Sequence, residues 1–199
     1  MSGIVAQNIG RRSGLIKAPA GGAAEWTLIQ TQTASASATI SFTSGLDSTY
    51  DEYCFKCINL HPETDDVKLT FQGSTDAGSS YGVTITTTYW HSQFGEDSSG
   101  EAIGYLADDD VTQGTGFSRM NESIGNDNDQ SVAAEFYLFN PASTTFVKNF
   151  VSNSTTQFDR VNNVHCSGYF NTASAIDAIQ FKMSSGKIDT GTISLYGIG

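Results

Sequence analysis

The sequence predicts an all-β protein, an antiparallel jelly-roll-like β-sandwich with an extended N-terminal arm. Three observations predict it. Apolar and polar residues alternate with a period of two in run after run, as in Val67-Lys-Leu-Thr-Phe-Gln72, which is the signature of a strand with one buried face. β-branched and aromatic residues dominate these runs, while Gly, Ser, Asn and Asp gather between them. No segment sustains the 3.6-residue apolar period of a long helix.

The elements follow in order. Residues 1–24 hold glycines, Pro19 and no sustained period, and read as an arm ending in a Pro/Gly linker. Ile4, Val5, Ile9, Leu15 and Ile16 are too apolar for a solvated tail, so the arm is expected to lie on its own body or on a partner. Residues 25–199 form one sandwich domain. Strands are expected from Trp26, around Ile40 and Phe42, and over Tyr53–Ile58, the last buried on both faces. Val67 to Gln72 reads as the cleanest half-buried strand, and the β-branched run from Val83 to Trp90 as another. Ser92 to Gln130 is Gly-rich and acidic, with room for one helical turn between Glu101 and Asp109. Strands resume at Ala133–Phe139, Thr145–Val151 and Val164–Phe170. The chain ends in an expected β-hairpin, Ile179–Met183 and Ile193–Tyr196, broken at Ser184-Ser185-Gly186. About nine or ten strands with regular turns are best satisfied by two packed sheets.

Charge is unevenly spread. Residues 1–24 carry Arg11, Arg12 and Lys17 and no acid, for +3, whereas 16 of the 21 acids lie between Asp47 and Asp129 against three bases, for −13. A body that acidic repels phosphate backbones, so nucleic acid is not an expected partner. No basic-then-apolar leader opens the chain and no apolar run reaches membrane-spanning length, so cytoplasmic synthesis without membrane insertion is expected.

Candidate chemistry is sparse. Cys54-Phe-Lys-Cys57 matches C-x-x-C, but residues three apart on a strand point to opposite faces, so these thiols are expected to be structural. With Cys166 they make an odd count, against a disulfide framework. His61, His91 and His165 lack ligand spacing and read as isolated, and no Gly-x-Ser-x-Gly elbow is present. Asp127, Asp129 and Ser131, spaced by two, form the best calcium-type loop. That loop lacks the glycine and distal glutamate of a calcium hand, and the expectation is a solvated loop with no metal or other cofactor. Glu135 and Asp159 are the carboxylates that a glycosidase reading would use. Tyr89, Trp90 and Tyr105 are the aromatics placed to stack a glycan or anchor a partner.

Two segments carry a resemblance: the closing NTASAIDAIQFKMSSGKIDTGTISLYGIG and the opening SGIVAQNIGRRSGLIKA. Together they resemble the ends of small β-rich virion proteins of tailed phages of aquatic bacteria. The resemblance implies a non-enzymatic virion structural protein, self-assembling as a homotrimer or other homo-oligomer among other virion proteins. It implies no catalytic residues. A tail or tail-fibre-associated, receptor-contacting module is the first expectation, with host surface glycan as a possible partner. A head decoration protein that cements capsomers is the second, and a free carbohydrate-binding module is the third. The assembly arm would comprise Ile4, Val5, Ile9, Arg11, Arg12, Leu15, Ile16 and Lys17.

Overall fold

The computed structural model describes residues 25–199. The arm expected over residues 1–24, from Ile4 to Lys17, lies outside the described residues. The rest is a β-sandwich of two antiparallel sheets. The larger contains β1 (Trp26–Thr33), β3 (Glu52–Pro62), β5 (Ile85–Gly95), β6 (Ala102–Tyr105), β8 (Val132–Phe139), β9 (Lys148–Gln157), β10 (Arg160–Phe170) and β12 (Ile188–Ile198). Its eight strands run in the order β1-β12-β3-β8-β9-β10-β5-β6. The smaller contains β2 (Ile40–Phe42), β4 (Leu69–Ser74), β7 (Ser118–Arg119) and β11 (Ala178–Met183), in the order β2-β11-β4-β7.

Seven phenylalanines hold the two sheets together. Phe42, Phe71 and Phe181 point inward from the small sheet, and Phe55, Phe136, Phe150 and Phe170 from the large one. All are at most 1% exposed. Phe71 meets Phe136, Phe150 and Phe170 at centroid distances of 4.6, 5.1 and 6.3 Å, and Phe55 meets Phe42 and Phe181 at 5.1 and 5.3 Å. Period-two alternation on each strand aims these rings across the gap. Burying each contributes roughly 1.5–3 kcal/mol.

Three expectations are corrected. The two closing strands do not pair. β11 joins β2 and β4 in the small sheet, while β12 joins β1 and β3 in the large one. The link at Gly186 (φ +69°) carries the chain from one sheet to the other, and Phe181, Met183, Ile193 and Leu195 all reach the shared core. Alternation on both sides of a turn specifies two strands and is silent on whether they share a sheet. The second correction concerns β4, which is buried along its whole length rather than on one face. Its polar face is covered by the chain around residues 115–119: the Gln72 amide donates to the carbonyls of Thr115 (3.1 Å) and Gly116 (2.8 Å), and Lys182 lies over the Phe117 ring. Third, β3 is not buried on both faces throughout, since Ile58 is 52% exposed. The one helical turn for which there is room between Glu101 and Asp109 is a 3₁₀ turn over Ala107–Asp109, preceded by a short strand, β6.

The two outer faces therefore differ. The small sheet presents polar side chains under its own loop; Gln180 donates to the Ser41 hydroxyl at 2.8 Å there. The large sheet's outer face has no such cover among the described residues.

Candidate functional site: the outer face of the large sheet

Strand register defines this face. One row runs Thr31, Ser194, Lys56, Glu135, Asn153, His165, Trp90, Tyr105 across all eight strands. The row beside it runs Leu28, Tyr196, Cys54, Tyr137, Val151, Ser167, Thr88. Further along, Val161 stands beside Phe94, and Ile103 beside Ser92. Ten large apolar side chains are exposed in the described chain, and eight of them lie here: Trp26, Leu28, Ile58, Trp90, Phe94, Ile103, Tyr105 and Val161. The other two, Phe146 and Val147, immediately precede β9. Ile103 is 80% and Tyr105 63% exposed. Scattered exposed apolar residues need no explanation, but a set gathered on one sheet face marks a contact surface.

The β1 end of the face is an aromatic cluster. Trp26 sits edge-on to Tyr196 (5.6 Å) and Tyr137 (6.3 Å), with the Lys56 ammonium 4.3 Å above its ring. Lys56 also pairs with Glu135 at 3.1 Å, and the Tyr137 hydroxyl donates to the same carboxylate at 3.1 Å. Glu135 is thus committed to Lys56 and Tyr137, while Asp159, the other carboxylate of the glycosidase reading, occupies the β9–β10 turn at φ +51°.

The β6 end carries Trp90, His165 and Tyr105. Trp90 and His165 are tilted rings 5.4 Å apart, and Tyr105 is the cross-strand neighbour of Trp90 with its hydroxyl bonded to Asp110. Toward the β9–β10 turn lies a shallow groove of about 460 Å³, lined by Phe94, Ala133, Thr155, Gln157 and Val161 among others. Glu96 lines one side of it and, with Asp97, Asp159 and Arg160, also lines an adjoining depression.

Of the three aromatics expected to contact a glycan or partner, the structure brings Trp90 and Tyr105 together and removes Tyr89. Adjacent strand residues face opposite ways, so Trp90 outside puts Tyr89 inside. Tyr89 is fully buried, its hydroxyl 2.5 Å from Ser118 Oγ and 3.1 Å from the Arg119 carbonyl, with the Arg119 guanidinium 5.2 Å over its ring. Burial pushes its phenol well above the ordinary range.

The remaining candidates separate. Cys57 lies in the core, whereas Cys54 faces outward between Tyr196 and Tyr137, so the C-x-x-C thiols point apart. All three cysteines are free and buried. Burial pushes Cys54 and Cys166 up to about 12, and Cys57 higher still. His91, expected to stand alone, is half-buried with Nδ1 3.1 Å from Glu122 Oε2, which Asn162 also contacts. Asp127 and Asp129 are exposed and Ser131 half-buried; the Asp127 carbonyl lies 3.1 Å from His61 Nε2. Among the described residues, no group of three or more His, Cys, Asp or Glu side chains is placed to hold a metal ion.

Sequence reasoning missed Trp26, Leu28, Ile58, Ile103 and Val161 as surface contacts. Strand parity could have found Ile58, since Cys57 faces in. Val161 falls in a polar stretch, Ser152 to Asn163, whose inward residues include Ser152, Ser154 and Thr156, so the usual inside-apolar cue is absent.

No protein-family model, curated protein or solved structure matches the chain.

Proposed function

We propose that this chain is a non-enzymatic structural protein of a phage particle, self-associating through the outer face of its eight-stranded sheet. The observation that carries the reading is the gathering of eight exposed apolar side chains on that face while the opposite outer face is polar and covered. Seven strand spacings of about 4.8 Å by eight residues of about 3.3 Å give a face on the order of 900 Å², against about 800 Å² per partner in a stable interface. The resemblance of both chain ends to tailed-phage virion proteins supports the particle; the face supports many-copy assembly. A tail-associated, receptor-contacting position is the first assignment and a head-decorating position the alternative. Cryo-EM of purified particles tests both. The expected map shows copies joined across Trp26, Ile58 and Ile103, and its symmetry assigns tail or head. Particles lacking the chain, or copies that leave this face in solvent, would refute the reading.

A second reading, contact with host glycan, is favoured by one observation: Trp90, His165 and Tyr105 form an exposed aromatic platform of the kind that stacks on sugar faces. A glycan array comparing the native chain with Trp90→Ala checks it. Binding lost in the variant supports the platform; no binding by either protein removes it.

A further inference from the structure

We propose that the outer face along β5 and β10 is a track for an uncharged, linear polysaccharide. It runs from the platform of Trp90, His165 and Tyr105 to a pocket at Tyr81 and Asn171. This rests on the glycan reading above and names the ligand class and its path.

Register builds the track. From the paired Trp90 and His165, the outward residues of β5 and β10 step away together, Thr88 beside Ser167 and then Thr86 beside Tyr169. β9 adds Val151 and Asn149 to the same two rows. These six side chains line a shallow trough of about 410 Å³. One step further, the Asn171 backbone amide donates to the Thr84 carbonyl at 2.7 Å. Thr84 and Asn171 line a second depression of about 380 Å³, with Ser80, Tyr81 and Thr172 among its other walls. Asn171 lies six residues beyond His165, about 20 Å along the strand direction. A ligand that touches both the platform and the pocket is therefore an extended chain.

The lining selects the chemistry of that chain. No charged side chain lines either depression. Asp76 is held by Ser80, and Lys148 by the Thr172 carbonyl, and neither is part of the lining. A metal ion finds no carboxylate here, and an anion finds no cation. An acidic polysaccharide also meets a body that carries −13 between Asp47 and Asp129, which repels it. The lining offers hydroxyls, side-chain amides and the rings of Tyr169 and Tyr81, which pair with sugar hydroxyls and cover sugar C–H faces. Several of these groups are held in place. The Gln113 amide donates to Thr86 Oγ1 at 2.6 Å and accepts from the Asn171 side-chain amide at 2.6 Å. The Tyr81 ring is fixed at its hydroxyl end, where a Cβ on Gly78 (φ +81°) would stand 2.7 Å from the oxygen. Groups already ordered lose less freedom when a ligand binds. The strip is also the part of the face least suited to joining copies. Of the eight exposed apolar side chains, only Trp90 and Tyr105 border it. Trp26, Leu28 and Ile58 lie on β1 and β3, and Phe94, Ile103 and Val161 lie beyond the platform toward the β9–β10 turn.

The test applies the full-length chain to an array of neutral gluco-, manno- and galacto-oligosaccharides graded from disaccharide to octasaccharide, with uronate and sulfated chains alongside. Two variants probe the track away from the platform: Thr88→Glu obstructs its middle and Asn171→Ala removes its far end. Both positions are exposed, so both variants should keep the native circular dichroism spectrum. The expected result is a neutral chain whose longer members bind about tenfold tighter than its disaccharide, with each variant lowering that affinity about tenfold. Binding that is lost in Trp90→Ala but unchanged in both track variants, or that is no tighter for long chains, overturns the track and leaves the glycan reading standing. Binding confined to uronate or sulfated chains does the same. No binding anywhere on the array overturns both.

Discussion

Replacing Phe71 by alanine should destabilise the sandwich more than any single outward-face substitution. Phe71 is fully buried on β4, and its ring meets Phe136, Phe150 and Phe170, three rings from three strands of the opposite sheet. Phe→Ala in a core costs about 3–5 kcal/mol, the value rising with the cavity that remains. Collapse is limited here because the three partner rings sit on β8, β9 and β10, which are hydrogen-bonded to one another. The lost edge-to-face and tilted pairs add to the transfer cost, each being worth about 0.5–1.5 kcal/mol. The expected loss is therefore near the upper end, about 4–5 kcal/mol. For a domain of this size that lowers Tm by roughly 8–20 °C. Urea denaturation followed by circular dichroism measures it, with Phe146→Ala as the control. Phe146 is 70% exposed, and its removal should change stability by no more than about 0.5 kcal/mol. A Phe71→Ala loss below about 1 kcal/mol, or one equal to the control, would refute the assignment of Phe71 as a core contact joining the two sheets.

Three further outcomes are expected. The thiols of Cys54, Cys57 and Cys166 are buried with raised pKa values, so Ellman's reagent at pH 8 should titrate none of them in the native chain and all three after denaturation; rapid native labelling of Cys54 would show that its cover by Tyr137 and Tyr196 is open. A Cβ on Gly73 would stand 2.8 Å from Phe170 Cε1, so Gly73→Ala should cost about 1–3 kcal/mol, and Phe170→Leu in the same chain should recover part of it; an unchanged urea midpoint for Gly73→Ala would contradict that packing. Hydrogen bonds from Ser80 and Ser74 hold the Asp76 carboxyl down at about 2, below the ordinary 3.8. A lowered acid pKa stabilises the fold fully above the unfolded value and loses that contribution as pH falls through the folded one. The Ser80 amide resonance should keep its native position at pH 4 and move only as pH approaches 2, and movement centred near pH 4 would argue against the bonded turn.

Much of this fold was legible residue by residue, because alternation is a local signal. Ile40 and Phe42, Tyr53, Phe55 and Cys57, and Phe181 and Met183 face the core as their period demands. Pairing was not legible, since it depends on contacts distant in sequence: β11 and β12 are consecutive, yet Phe181 pairs with Ile40 and Phe71, and Leu195 with Phe55 and Gln30. β4 was misjudged for a related reason. Thr70 and Gln72 look solvent-facing by composition, and only a chain segment more than forty residues later covers them. Of the candidate site, Trp90 and Tyr105 were visible as aromatics near loops, and strict parity would have excluded Tyr89. The surface as a whole was not visible. Eight apolar side chains on five strands become a patch only when register brings Leu28, Ile58, Phe94, Ile103 and Val161 to one face.

The central claim, that this face joins copies of the chain, is tested most directly by sedimentation velocity of the full-length native protein beside an Ile58→Ser, Ile103→Ser, Val161→Ser variant. All three side chains are at least half exposed, so the variant should keep the native circular dichroism spectrum. The native chain should sediment as a discrete oligomer and the variant as a monomer. A native chain that sediments as a monomer, or a variant that assembles equally well, would contradict that claim.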